Sequence, residues 1–347
     1  MIANVPTHRE IRLKRRPEGL PGPEHLDIVV IPVPTPEPGE VLVRNLYFLV
    51  SASIRQMVSE GAEDVPGVPF PALKPGDGLL GEAIGEVIAA PADCGLSLGD
   101  KVRHFAGWRD YAALPVAQCH RLDGPLPDAL GYLGYLGHGW TAYAALTRGV
   151  RIAAGDTVFI SGAAGAIGSM AGQIARLLGA GRVIGSTSSH DKAHRLIAEL
   201  GYDAAVIRGG SRPFAEQLLE AAPEGVDVVL DNVGGEQLQA AVTAAREGAR
   251  FVIVGTLSGQ LAATGTGRIA PVELDSAQIL LKRITLRGYS ADDNSEVHEE
   301  WLTRFAQWLR SDDIRFPHTL IEGLEQAPSA LRDTTQGRYL GAVIVKL

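Results

Sequence analysis

Gly162, Gly165 and Gly168 space the turn Ser161-Gly-Ala-Ala-Gly-Ala-Ile-Gly-Ser169. It follows the β-branched run Thr157-Val-Phe-Ile160 and leads into apolar residues at helical spacing, Ile167, Met170, Ile174 and Leu177. A strand, a tight glycine turn and a helix in that order form a seat for a diphosphate. Glycine has no Cβ, so the backbone turns sharply and comes close to phosphate oxygens, and the helix N-terminus stabilises their charge through free N–H groups and its dipole. The spacing G-x-x-G-x-x-G departs from the commoner G-x-G-x-x-G, so the flanking strand and helix carry the reading as a dinucleotide site. Gly162, Ala163, Ala164, Gly165, Ala166, Ile167 and Gly168 are its expected contacts.

The next strand, Arg182-Val-Ile-Gly185, decides between the two nicotinamide dinucleotides. An Asp or Glu at its end would accept hydrogen bonds from a ribose 2′-hydroxyl and repel a 2′-phosphate. The chain instead reads Ser186-Thr-Ser188-Ser189-His-Asp-Lys192, and Arg208 closes the following strand Ala204-Ala-Val-Ile207. Hydroxyls with a lysine and an arginine suit a phosphate dianion. Ser188, Ser189, Lys192 and Arg208 therefore point to NADP.

The supporting elements divide the chain in two. Up to about residue 135, short β-type runs alternate with Pro and Gly: Ile28 to Val33, Glu40 to Tyr47, Gly81 to Ala90, Lys101 to Phe105 and Tyr111 to Val116. Short strands without long helices between them predict a small barrel. Beyond it, strands beginning at Thr157, Arg182, Ala204, Val226, Arg250 and Ile284 alternate with helices, the pattern of a doubly wound parallel sheet. A helix near His298 to Leu309 follows, and the final run Gly341 to Lys346 is expected to return to the barrel. The fold class expected is α/β.

Composition narrows the partners. A net charge of −8 argues against nucleic acid, and the run Lys14-Arg15-Arg16 is too short for a binding patch. The first residues lack the apolar core of a signal peptide, and no stretch approaches the roughly 18 apolar residues of a membrane span. Cys94 and Cys119 are too few for a disulfide framework, so a cytoplasmic location is expected. A catalytic zinc would need about three converging ligands. The only close Cys and His, Cys119 and His120, are adjacent in the chain, and no metal site is expected.

Taken together, Glu40-Val-Leu-Val43, Gly107-Trp108 with Tyr111-Ala112, Leu136-Gly137 through Tyr143, Ser161 to Ser169, Asp231-Asn-Val-Gly-Gly235, Gly255-Thr-Leu-Ser258 and Leu340-Gly341 resemble one family. It is the zinc-independent branch of the medium-chain dehydrogenase/reductases, and within it the prostaglandin reductase or leukotriene B4 12-hydroxydehydrogenase group of NADPH-dependent alkenal/one reductases. The resemblance spans nearly the whole chain. It implies a GroES-like β-barrel catalytic domain (1–135 and 314–347), a Rossmann domain (136–313), NADPH in the cleft between them, and a homodimer. It places Lys192 on the family's phosphate-binding lysine and Arg208 where the family has a tyrosine. Asn232, Gly255, Thr256, Leu257 and Ser258 match positions on the nicotinamide side, and Thr141, Tyr289 and Ser290 join them.

The reaction that the resemblance implies is hydride transfer to the β-carbon of an α,β-unsaturated ketone or aldehyde, followed by protonation of the enolate. Tyr47, Ser53, Arg55 and Trp108 are the expected substrate contacts. Departures surround this pocket. Ser51-Ala-Ser53-Ile-Arg55 stands where the family reads Asp-Pro-Tyr-Met-Arg, Asn294 stands near a family tyrosine, and the loop Leu136-Gly-His138-Gly-Trp140-Thr141 is one residue short. The substrate is accordingly expected to differ from a prostaglandin or leukotriene. Donors to the developing oxyanion are the cofactor ribose hydroxyl, Tyr289, Tyr111 or Ser53. His138 is a further candidate acid, because an unperturbed imidazole titrates near pH 6.5. A quinone reductase on the same scaffold, and an NADPH-binding protein without catalysis, are the competing readings.

Overall fold

The computed structural model describes residues 6–61, 71–122, 129–265 and 267–347. The expected absence of a leader rests partly on residues 1–5, which lie outside them.

A six-stranded parallel sheet is built from β8 (Thr157–Ile160), β9 (Arg182–Thr187), β10 (Ala204–Ile207), β11 (Val226–Asp231), β12 (Ala245–Ile253) and β13 (Thr285–Gly288), in the order β10-β9-β8-β11-β12-β13. In chain order this is 3-2-1-4-5-6, and it reverses at β8, the point where open α/β sheets bind ligands. Every residue of β8 is buried, because helices cover both faces of a parallel sheet. Its partners are in register, Val158 opposite Val183 and Val228, and Ile160 opposite Gly185 and Leu230.

The remaining strands are β1 (Thr7–Leu13), β2 (Leu26–Pro32), β3 (Glu40–Val50), β4 (Ala83–Ala89), β5 (Lys101–His104), β6 (Tyr111–Pro115), β7 (His120–Arg121), β14 (His318–Glu322) and β15 (Ala342–Lys346). β1 and β2 form an antiparallel pair, and the others form a mixed sheet ordered β14-β15-β3-β4-β5-β7 with β6 beside β3. The last strand returns as expected, antiparallel to β3 with Ile344 opposite Leu49. β1 was not among the sequence-predicted strands. Its residues are largely polar, yet His8 and Glu10 are buried, Glu10 in an ion pair with Arg109 at 2.9 Å.

The two sheets meet through side chains of one face of the mixed sheet. Tyr47, Leu49, Ile84, Ala342 and Ile344 pack with Leu136 and with Ala166 of the glycine turn. The chain entering β15 also touches that turn, Gly341 donating to the Ala164 carbonyl at 2.9 Å. Gly341 has φ +82°, and a Cβ there would collide with the Pro317 carbonyl. Only glycine fits.

One buried side chain fixes the helix that follows the turn. Tyr202 donates from its hydroxyl to the Gly168 carbonyl at 2.6 Å, and its ring lies against Gly172 of the helix Gly168–Leu177 and Gly185 of β9. A Cβ on Gly172 would stand 2.7 Å from the Tyr202 hydroxyl oxygen and closer still to the ring. Gly172→Ala should therefore lower stability by about 1 to 3 kcal/mol through overpacking, as read from the urea midpoint at unchanged slope. An unaltered midpoint would mean that Tyr202 moves aside freely.

Candidate functional site

The glycine turn leaves the carboxyl end of β8 as the residue types predict. Gly162 has φ +63°, and a Cβ on Gly168 would lie 2.5 Å from the Ala163 Cα. Both glycines are thus required for the helix to start this close to the strand. Ile167 and Gly168 open the helix, and their N–H groups make no hydrogen bond within the described residues. These are free donors at a helix N-terminus, suited to a diphosphate. The turn is braced from β9, where the Ser186 hydroxyl accepts from Gly162 N–H at 2.8 Å and donates to Gln237 Oε1 at 2.5 Å.

On the other side, Asp231 ends β11 as a buried carboxylate. Ser161 Oγ donates to it at 2.5 Å, and the N–H groups of Val233 and Gly234 donate at 3.2 and 2.9 Å. Burial raises the Asp231 pKa, and these donors oppose the rise. The network holds Asn232, whose Nδ2 donates to the Ser161 carbonyl at 2.9 Å. Asn232 Oδ1 is buried without a partner among the described residues. Gly255 packs on the Asn232 backbone, and Leu257 and Ser258 donate to the carbonyls of Asn232 and Val233. The structure therefore brings Gly162 to Gly168, Asn232 and Gly255 to Ser258 to one edge of the sheet. Ser161, Ser186 and Gln237 were not expected there. Their short polar side chains resemble ordinary turn and helix residues until the fold shows what they brace.

Ser188 and Ser189 follow β9, and Arg208 N–H donates to the Thr187 carbonyl at 2.8 Å, so the ends of β9 and β10 lie side by side. Ser189 caps the helix His190–Leu200. Arg208 is exposed and makes no side-chain ion pair or hydrogen bond within the described residues. The Lys192 ammonium rests on the Gly337 carbonyl, and its burial lowers its pKa. Ser188, Ser189, Lys192 and Arg208 thus all follow the carboxyl ends of β9 and β10, and β9 neighbours the strand that the glycine turn leaves. Thr141 is half-buried in the helix Gly139–Ala144, and Ser290 is exposed where it caps the turn 291–294.

The substrate-side expectations need correction. Trp108 is fully buried in the core of the mixed sheet, 5.0 Å from the Phe48 ring, so it packs and lines no pocket. Arg55 is also fully buried. Its guanidinium donates to the carbonyls of Gln260, Ala262, Thr264 and Gly265, at 2.6, 2.5, 3.4 and 2.8 Å. It joins the short helix Ile54–Val58 to the loop after Ser258, and its buried Nε has no partner among the described residues. The Tyr289 ring lies in the core with Val252, and its hydroxyl donates to Asn294 Oδ1 at 3.0 Å. That hydrogen bond occupies the proton wanted for an oxyanion. Tyr111 lies edge-on to His8 at 5.9 Å, on the β1 side of the mixed sheet. Burial pushes His138 down to about 4, so its ring is neutral at pH 7 and the imidazolium acid is not present. Tyr47 packs near Ala166, and Ser53, just before the helix Ile54–Val58, shares a 2.9 Å hydrogen bond with Ser51.

Among the described residues, no group of three or more His, Cys, Asp or Glu side chains is gathered as a metal would require, and no helix is long and apolar enough to cross a membrane.

Residues 166–308 match the family described as zinc-binding dehydrogenase, and residues 9–122 the N-terminal domain of oxidoreductase. The chain is 34% identical to a putative NADP-dependent oxidoreductase, YfmJ, of Bacillus subtilis over 98% of both chains. It is 30% identical to prostaglandin reductase 1 of Bos taurus over 96% of this chain and 97% of the relative. It is 27% identical to an NADP(+)-dependent 2-alkenal reductase of Nicotiana tabacum over 99% and 98%. The crystal structure of CurA from Vibrio vulnificus in complex with NADPH superimposes with a TM-score of 0.86 at 30% identity, covering 97% of this chain and 98% of that one.

Proposed function

The chain belongs to the zinc-binding dehydrogenase family of medium-chain, NADP-dependent oxidoreductases, and we propose that it uses NADPH to reduce the C=C bond of an α,β-unsaturated ketone or aldehyde. The observation that carries this reading is the set Ser188, Ser189, Lys192 and Arg208 beside a glycine turn whose first helical N–H groups are free. The turn itself packs on one face of the mixed sheet. The names of the alkenal and prostaglandin reductases support the substrate class.

NADPH, when bound, supplies the hydride for the β-carbon. Ile167 and Gly168 would donate to its diphosphate, Ser188, Ser189, Lys192 and Arg208 would hold its 2′-phosphate, and the unpaired Asn232 Oδ1 with the 255–258 loop would hold the nicotinamide end. Thr141 and Ser290 flank that end. The small molecule then lies between these residues and Tyr47 and Ser53. We assign residues 1–135 and 314–347 to the catalytic domain and 136–313 to the cofactor domain.

Lys192→Ala should raise the KM for NADPH about 10- to 150-fold, the worth of one charge-assisted contact of about 1.5 to 3 kcal/mol, and leave NADH kinetics nearly unchanged. Equal loss with both cofactors would remove the 2′-phosphate assignment. An enone should support NADPH oxidation at a higher kcat/KM than a quinone of similar size, and the reverse order would favour quinone reduction.

Despite the family's description, we propose that this member works without zinc, supported by the lack of a gathered ligand set among the described residues. Activity should survive dialysis against EDTA. Stoichiometric zinc whose removal stops turnover would overturn this.

We further propose a cytoplasmic homodimer. Both cysteines are free thiols, and β13 is a free sheet edge flanked by exposed Leu280, Leu281 and Leu286. Light scattering should give twice the chain mass and Leu281→Glu the chain mass; a monomeric wild type would contradict the dimer.

A further inference from the structure

Glu82 is a partly buried acid that the reading above leaves unused. Its backbone is fixed at the entry to β4, where its carbonyl accepts from Leu49 N–H at 2.9 Å. Successive strand residues point to opposite faces, so Glu82 shares a face with Ile84. Ile84 stands opposite Tyr47 on β3 and Arg103 on β5, and it packs with Tyr47 in the cluster that meets Ala166 of the glycine turn. The carboxyl group therefore lies on the face of the mixed sheet that packs toward Leu136 and Ala166, next to the end of β3 that leads into Ser51 and Ser53.

The side chain is 18% exposed, and Oε1 is 3.5 Å from the Arg103 guanidinium. Oε2 is buried with no hydrogen-bond partner among the described residues. The charged and titratable groups facing it come from both halves of the molecule. Arg103 on β5 attracts it, and Asp292, from the turn 291–294 beyond β13, repels it. His120 stands opposite Arg103 on β7, and His298 lies near both. Burial and Arg103 lower both imidazoles, His298 to about 4, so both are neutral at pH 7. Burial, helped by Asp292 and opposed by Arg103, raises the Glu82 carboxyl to about 7. A carboxyl group whose Oε2 has no hydrogen-bond partner among the described residues, half protonated at about pH 7, thus sits where the mixed sheet meets the cofactor domain.

Resting on the enone reductase reading, we propose that Glu82 is the proton donor of the reaction, delivering its carboxyl proton to the α-carbon of the reduced substrate. As the hydride bonds to the β-carbon, the C=C pair shifts toward the carbonyl and leaves an enolate. The enolate pair then forms the new α-carbon to hydrogen bond while the Glu82 O–H bond breaks, its electrons remaining on the carboxylate. Arg103 stabilises that carboxylate, and solvent returns the proton. Arg103 is a positioning residue in this scheme.

Two measurements decide it. Infrared titration of the cofactor-free protein should show a protonated carboxyl carbonyl band that disappears as pH rises through about 7 and is missing in Glu82→Gln. With an enone, wild-type kcat should fall as pH rises through the same range, because the acid form is the donor. Glu82→Gln should lose that limb and about 100- to 10,000-fold in kcat, with the KM for NADPH within about twofold of wild type. Glu82→Asp should recover part of the rate together with a pH limb.

A carboxylate already ionised at pH 6 in the infrared titration overturns the proposal, whatever the variants do. So does a Glu82→Gln enzyme with wild-type rate and pH profile. A wild type that reduces no enone at any pH removes the activity reading and this assignment together. A wild type that does, beside an unaffected Glu82→Gln, removes the assignment alone.

Discussion

The missing Cβ of Gly168 is the constraint on which the arrangement rests. Because that helix begins against the Gly162 to Ala163 backbone, the first helical N–H groups stand at the end of β8, where the strand order reverses. Everything nearby is shaped to keep them there. Tyr202 pins the Gly168 carbonyl from below, Ser186 holds the Gly162 N–H, and Gly341 donates to the Ala164 carbonyl from the other sheet. A side chain at Gly168 would push the helix away, and the diphosphate seat would lose its donors.

A second constraint is electrostatic. Burial shifts several groups of the molecule: Asp231 is raised though ringed by donors, Lys192 lowered, His138 and His298 held neutral, and Glu82 raised. Arg208 is exposed at the end of β10 and makes no side-chain ion pair among the described residues. Exposed positive charge beside the glycine turn suits a cofactor whose anionic end faces solvent.

The glycine turn was legible in the sequence because its spacing and flanking runs are local. The six parallel strands were legible for the same reason, being apolar runs bounded by helices. What the sequence concealed was burial. Trp108 and Arg55 have the chemistry of binding residues, yet one fills the barrel core and the other joins two loops through four carbonyls. Tyr289 likewise carries a hydroxyl whose partner, Asn294, becomes visible only when the turn 291–294 is folded. β1 escaped notice because its polar residues are balanced by partners about a hundred positions away, Arg9 with Asp110 and Glu10 with Arg109. Glu82 is a lone acid in the apolar and glycine run Leu79-Leu-Gly-Glu82, which reads as the entry to a strand. Its own carboxyl gains meaning once Arg103 and Asp292 are seen on either side.

On the proposed function, hydride goes to the β-carbon of an enone through this NADPH site. Turnover of a simple enone with NADPH deuterated at the transferred position, followed by NMR of the product, tests it most directly. The expected product is a saturated ketone with deuterium on the β-carbon. Deuterium on the carbinol carbon of an allylic alcohol, or in neither place, would contradict it.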